Sequence, residues 1–194
     1  MAGEDVREAI RELVAGIRPL DGLEASDQAR TLEWITSGSQ LFRTVPPDIP
    51  PKHLVSYFVP VDAENRCLLL GDHRKSGLRL PPGGHCEDGE DPRDTVTREA
   101  AEELQVDARF HRGLGAGGPL FLTVTPTVGT ASHTDVSLWF VLEVGMAEYL
   151  RSQASPDGRD LIQCDRRRHS GVQRLGTGCH RYAHQYIAGG GDDA

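Results

Sequence analysis

One sharply bounded helix set between two groups of strand-like runs constrains this 194-residue chain more than any other feature. The spacing predicts that helix over residues 92 to 104. Its start is written locally: Asp91 can cap, Pro92 suits the first helical position, and Asp94 puts negative charge in the first turn. Before it, Leu54 to Val61 and Arg66 to Gly71 read as strands joined by the turn-like Asp62-Ala63-Glu64-Asn65, an antiparallel hairpin. After it, Pro119 to Val128 and Asp135 to Val144 are rich in β-branched and aromatic residues, with Pro126 marking an edge or a strand end. Strands on both sides of a helix predict an α/β (α+β) domain, neither a bundle nor an all-β sandwich.

Two helical patterns precede this domain. Val6, Ile10, Leu13 and Val14 recur at helical spacing over 4 to 16, and Ala29, Leu32, Trp34 and Ile35 do so over 26 to 36, after a Ser26-Asp27 capping signal. The stretch Val45-Pro46-Pro47-Asp48-Ile49-Pro50-Pro51 cannot continue a helix and reads as a linker. The expected organisation is an N-terminal helical extension (1–45), a main domain (52–188) and a glycine-rich tail (189–194) that frays. Leu32, Trp34 and Ile35 are more apolar than a free arm needs, which makes the extension a candidate homodimer interface. Residues 152 to 178 show no periodicity and read mostly as loop, and a last helical pattern covers about 178 to 188.

Charge and composition remove whole classes of function. Lys plus Arg number 21 against 29 Asp plus Glu, a net charge of −8 that repels the phosphate backbone and argues against a nucleic-acid-coating role. No apolar run approaches the roughly 18 residues of a membrane span. The opening MAGEDVREAIRELV lacks a basic stretch and an apolar core, so the expectation is a cytoplasmic protein with no membrane partner. Cys67, Cys86, Cys164 and Cys179 form no CxxC pair and read as free thiols.

The chemistry lies in Leu80 to Val106, LPPGGHCEDGEDPRDTVTREAAEELQV. At about 100° per residue from Val96, Ala100 falls near 40° and Leu104 near 80°, one apolar face for the sheet. On the same wheel Glu102, Glu99 and Glu103 fall near 240°, 300° and 340°, three carboxylates on an arc of about 100°. Like charges so placed repel unless something positive sits among them, and all-oxygen ligation points to a hard divalent ion such as Mg²⁺. Gly83-Gly84 would let backbone carbonyls approach that ion, and Glu90 and Arg98 are placed to brace loop against helix.

Gly84, Glu90, Arg98, Glu99, Glu102, Glu103 and the apolar Val106 stand at the spacings G-x5-E-x7-R-E-U-x-E-E-x-G-U, where U is apolar. This resembles the signature of the Nudix hydrolases. Two positions depart: the apolar slot after Arg-Glu is the small Ala100, and the late glycine is Gln105, so the helix end is expected to differ from the usual left-handed one. The resemblance extends over roughly residues 52 to 188 and implies a Nudix-type α/β/α sandwich with a mixed sheet. It further implies Mg²⁺-dependent hydrolysis, with Mn²⁺ able to substitute, of a small-molecule nucleotide: a nucleoside diphosphate linked to another moiety. Carried over residue by residue, Glu102, Glu103 and the Gly83 carbonyl are implied as metal ligands and Glu99 as a further ligand or general base. Arg98 would orient Glu99, and Glu90 would hold Arg98. The Pro81-Pro82-Gly83-Gly84-His85 entrance resembles members acting on nucleoside triphosphates or their damaged forms. ADP-ribose, nucleotide sugars and dinucleotides are the alternative substrates, and a sensor that binds without turnover is the alternative outside catalysis.

An additional base beyond this segment has three candidates, Glu143, Glu148 and Asp160. His180 and His184 with Cys179 have a spacing compatible with a transition metal but no third ligand, and read as surface or packing residues. Ser132-His133-Asp135 reads as a polar turn before a strand, because residues so close in sequence cannot easily form a catalytic triad. The arginines at 166 to 168 read as a solvated loop. Tyr57, Phe58, Phe121, Trp139 and Phe140 are the candidates for stacking on a base, and within 57/58 and 139/140 strand alternation sends only one member of each pair to a cleft.

Overall fold

The structure is a computed structural model that describes residues 2–46, 48–64, 67–73, 78–127, 132–145 and 163–165. Helices α1 (Ala2–Ala15) and α2 (Gly22–Thr36) are followed by strands β1 (Lys52–Asp62), β2 (Cys67–His73), β3 (Leu78–Leu80) and β4 (Gly83–His85). Helix α3 begins at Pro92, runs as an α-helix to Glu99 and widens into a π-helical turn over Ala100–Leu104. A short 3₁₀ turn (Gly115–Gly117) and strands β5 (Phe121–Pro126), β6 (Thr134–Glu143) and β7 (Gln163–Asp165) complete the described elements.

The sheet is mixed, in the order β3-β2-β1-β6-β5, with β4 paired to β1 and β7 to β2. The hairpin expected between the first two strands is present, Val61 opposite Leu68 and Asp62 opposite Cys67. The parallel pair is β1 with β6, in register from Lys52↔Thr134 to Val61↔Glu143. Pro126 ends the edge strand β5, where its missing amide breaks no ladder bond.

Alternation of side chains divides the sheet into two faces. Leu54 and Phe58 of β1, Leu122 of β5, and Val136, Leu138, Phe140 and Leu142 of β6 form one core with Val96, Ala100 and Leu104 of α3. Ile10 and Val14 of α1 and Ile35 of α2 enter the same core, with Leu32 and Trp34 against it. Lys52 also lies over the Trp34 ring at 4.5 Å. These five helix residues are therefore packed into the core of their own chain, while Leu23 of α2 is exposed. The opposite face carries Val59, Val61, Phe121, Trp139 and Val141, covered by Leu114 and Leu120.

Several elements differ from the sequence reading. Helix α2 starts at Gly22, well before Ser26-Asp27: Asp21 is the cap and accepts from the Glu24 amide at 2.9 Å, while Glu24 reaches back to the Leu20 amide at 2.7 Å. Asp27 is instead buried within the helix, paired with Arg30. The Gly83-Gly84 turn is strand β4, antiparallel to β1 with Tyr57 opposite Gly83 and Val55 opposite His85. Within the stretch read as loop, Gln163–Asp165 pairs with β2, Leu69 opposite Cys164. Such short strands have too few residues for a period to show, and the partner supplies the order. The helical pattern at 178 to 188 and the tail at 189 to 194 lie outside the described residues.

Candidate functional site

Strand β4 and helix α3 meet through two glycines. A β-carbon on Gly84 would overlap Glu99 Oε1 and stand 2.6 Å from its Cδ, so a side chain there would displace the carboxylate. At Gly83, with φ 153°, a β-carbon would meet the Tyr57 Cα at 2.7 Å. The glycines let strand, loop and acid approach more closely than any other residue would allow.

The helix start is built as expected, with Asp91 accepting from the Arg93 amide and Pro92 in the first turn. One turn later Arg98 gathers the site. Its Nε and Nη2 donate to Glu90 Oε1 and Oε2, both at 3.2 Å, and its Nη1 donates to Glu99 Oε1 at 2.6 Å. Nη2 also reaches the His85 carbonyl of β4 at 3.3 Å, and Nη1 lies 3.8 Å from Glu102 Oε2. The fork geometry of the guanidinium suits this two-sided grip, which a lysine could not reproduce. Glu90 in turn accepts from the Glu87 amide at 2.8 Å and the Thr95 hydroxyl at 2.7 Å, closing the loop onto the helix. Burial alone would raise the Glu90 carboxyl, but Arg98, the Glu87 amide and Thr95 outweigh it and hold it below its ordinary value. The hydrogen bond to Glu90, joined by Glu99, raises Arg98 further against the effect of burial.

Glu99 and Glu103 stand one turn apart, and the Gly83 amide of β4 favours the charged form of Glu103. Loss of surrounding water, then the charge of Glu99 and after it that of Glu102, pushes the Glu103 carboxyl up to about 7 against that amide. Through the π-helical turn Ala100 and Leu104 stay buried, as on the wheel, and Glu102, opposite that apolar face, points outward with its side chain 61% exposed. Gln105 does adopt the left-handed conformation, φ 56° and ψ 37°, despite lacking the glycine that ordinarily takes it. The amides of Gln105 and Val106 bond back to the Ala101 and Ala100 carbonyls at 3.2 and 3.3 Å, and buried Val106 anchors the turn. So the structure gathers Gly83, Glu90, Arg98 and Glu99, with Glu102 and Glu103 both exposed at the rim. Three carboxylates this close together, with a backbone carbonyl beside them, are the oxygen donor set a divalent ion would fit.

The remaining candidates fall elsewhere. Glu143 ends β6 beside His111, 4.0 Å away, and its partner Val61 lies about 13 Å along β1 from the Tyr57–Gly83 pair. Glu148, Asp160, the arginines at 166 to 168, Cys179, His180 and His184 lie outside the described residues. Phe58 and Phe140 are buried beneath the helices. On the other face Tyr57 stacks on Trp139 at 4.8 Å and Trp139 on Phe121 at 5.3 Å, with Trp139 Nε1 donating to Thr123. Of the five, only half-buried Tyr57 has a surface left for a ligand.

The structure also assembles a group that sequence reading passed over. His53, His85, His133 and Asp135 each offer a ligating atom within 4.8 Å of all the others. Burial lowers the pKa of His53 and, with Arg43 and the neighbouring imidazoles, pushes His85 down to about 3. Burial raises Asp135 against the pull of His133 and His53. The signal was the register of β1 on β6, which no local pattern contains.

A family model described as the NUDIX domain matches residues 51–164. This chain belongs to the Nudix family. The matched span opens at the last proline of the linker, closes in β7 and contains the whole Nudix box, while α1 and α2 precede it. Among solved structures, this Nudix chain is similar to a NUDIX-family hydrolase from Clostridium perfringens, at 23% identity over 47% of this chain and 69% of that one, with a TM-score of 0.37. No curated protein matches it. The family acts on pyrophosphate bonds of nucleoside-diphosphate-linked compounds, and the Nudix box of this chain keeps every acidic position. Among the described residues, no helix is long and apolar enough to cross a membrane.

Proposed function

We propose that this protein is an Mg²⁺-dependent pyrophosphohydrolase of a nucleoside triphosphate or a modified nucleotide. The observation that carries the reading is the clamp of Arg98 between Glu90 and Glu99, with Glu99 against Gly84. Glu99, Glu102, Glu103 and the Gly83 carbonyl would hold the metal, and their mutual repulsion is what a cation relieves. When bound, the ion supplies neutralisation of the diphosphate and a lower pKa for a coordinated water. The protein's own part is positioning and proton transfer. Arg98 fixes Glu99, Glu90 fixes Arg98, and Glu99 takes the proton of the attacking water as its oxygen bonds to phosphorus and the bridging P–O bond breaks. Arg98 is the orienting group in this scheme, since each of its three nitrogens is engaged by a protein acceptor.

The test is product release with and without Mg²⁺ or Mn²⁺ across nucleoside triphosphates, oxidised triphosphates, ADP-ribose, nucleotide sugars and dinucleotides. Turnover of the triphosphate class that requires the ion and falls by a factor on the order of 100 or more in Glu103→Gln supports the reading. Unchanged turnover in Glu103→Gln would remove the site assignment. Turnover confined to ADP-ribose, sugars or dinucleotides would replace the substrate, and binding without turnover of any compound would make the protein a sensor.

A further inference from the structure

We propose that His53, His85, His133 and Asp135 form a second, structural metal site that takes Zn²⁺, on the face of the sheet opposite the box helix. Three strands bring it together. The parallel register places His53 opposite Asp135, and the antiparallel register places His85 opposite Val55. Residues paired across strands share a face and successive residues alternate, so His53, Val55, His85 and Asp135 all project away from α3. His133 stands in the turn just before β6, two residues from Asp135.

The distances fit a small coordination shell. Asp135 Oδ1 lies 3.2 Å from His133 Nε2 and 3.5 Å from His53 Nε2. Bonds of about 2.0–2.1 Å in a tetrahedral zinc site put neighbouring donors about 3.4 Å apart. With every donor within 4.8 Å of the rest, closing the shell asks for small side-chain adjustments.

Two independent features show that the rings are prepared for a ligand. His53 and Asp135 are almost wholly buried, and the Nε2 atoms of His53 and His85 are buried with no hydrogen-bond partner. Folded proteins rarely leave such atoms unmatched. The far side of each of two rings is also held: His53 Nδ1 donates to the Pro50 carbonyl at 2.8 Å, and His133 Nδ1 sits 3.2 Å from the Thr127 hydroxyl. That outer bond fixes the His53 tautomer and leaves its Nε2 lone pair aimed at the group.

The donor set selects the metal. Three imidazoles and one carboxylate suit a borderline ion, whereas Mg²⁺ requires oxygen. Arg43 acts electrostatically on His53, His85 and Asp135, and its positive charge weighs against a loosely held hydrated cation. Binding rests on coordination by nitrogen. Four protein donors also fill a tetrahedral shell, which marks the site as structural. Its consequence is mechanical: an ion here ties β4, next to Gly83 and Gly84, to the ends of β1 and β6.

The test uses the full-length chain in excess Mg²⁺, so that the box acids are occupied. Metal-stripped protein is titrated with Zn²⁺ by calorimetry and with Co²⁺ by visible absorption, and melting temperature is followed with each ion. One equivalent per chain is expected, with the intense visible bands of tetrahedral Co²⁺ and a rise in melting temperature. His133→Ala, at a half-buried turn position that spares the core, and Asp135→Asn should weaken binding at least tenfold and abolish both signals, with native circular dichroism. Glu103→Gln should leave them intact. Absence of stoichiometric binding to the folded wild-type chain, undiminished binding in both His133→Ala and Asp135→Asn, or loss of binding in Glu103→Gln would each overturn the proposal. The last two would place the ion elsewhere, with loss in Glu103→Gln assigning it to the box.

Discussion

Replacing Gly84 with alanine isolates the contact on which the catalytic reading depends. Gly84 does not sit in the left-handed region, so its backbone accepts an alanine, and the perturbation is purely steric. The new methyl would stand 2.6 Å from Glu99 Cδ, against an ordinary separation of 3.4 Å or more, and would overlap Oε1. The carboxylate must therefore retreat by roughly 1 Å. It is not free to do so, because Arg98 Nη1 holds it at 2.6 Å and Arg98 is itself fixed by Glu90 and the His85 carbonyl. Either Glu99 turns away and forfeits that charge-assisted hydrogen bond, or α3 moves off β4. The part-exposed pair limits the cost in stability to about 1 kcal/mol, a few degrees in Tm for a domain of this size. A displacement of roughly 1 Å at a catalytic group costs about 100-fold in rate, so kcat/KM should fall by that factor while the fold persists. Gly22→Ala is the matched control: no atom lies within 4 Å of the added carbon and the residue opens α2, so activity stays unchanged and stability rises by about 0.5 kcal/mol. A Gly84→Ala protein with kcat/KM within about threefold of wild type would refute the argument that the glycine exists to seat Glu99.

Other expectations follow from the same geometry. With its carboxyl raised to about 7, Glu103 binds a proton more tightly in the folded chain than in the unfolded one. The metal-free protein should therefore lose stability as pH rises from about 4.5 to about 7, and Glu103→Gln should flatten that dependence in thermal melts with chelator. Protons also compete for the ligand, so Mg²⁺ affinity should fall by up to about tenfold per unit below pH 7, read by calorimetry. Gln105→Gly relieves a left-handed glutamine and should stabilise the chain by about 0.5–1 kcal/mol in denaturant titrations, since the strain of roughly 1–2 kcal/mol exceeds the added entropy of glycine. Asp21→Ala removes the cap of α2 and should cost about 1 kcal/mol, whereas a cap at Ser26-Asp27 would leave that variant near wild type.

The Nudix box was legible because its logic is local. Asp91 and Pro92 start the helix from within two residues, and Glu90, Arg98 and Glu99 find one another across less than three helical turns. The clamp needed no distant partner to be inferred. The π-helical turn itself was not legible, because it goes with seating Ala100 and Leu104 against the sheet while Val106 closes a left-handed turn at Gln105. Likewise Asp21 prevailed over Ser26-Asp27 as the α2 cap. Both sites carry the local chemistry, and the burial of Asp27 and Glu24 is decided by docking on the sheet.

Sequence alone determined the run from the β1–β2 hairpin through α3 to β5 and β6, the apolar face of α3 and the acids proposed to hold a metal, since each rests on capping, periodicity or spacing within a few turns. Tertiary structure decided which residues became neighbours across strands. His53 and Asp135 are 82 positions apart, and nothing near either one announces the other. Their meeting is fixed by the parallel register of β1 on β6, and β4 then brings His85 beside them. A one-residue slip in that register would send Asp135 to the opposite face of the sheet and dissolve the cluster while leaving every local pattern intact.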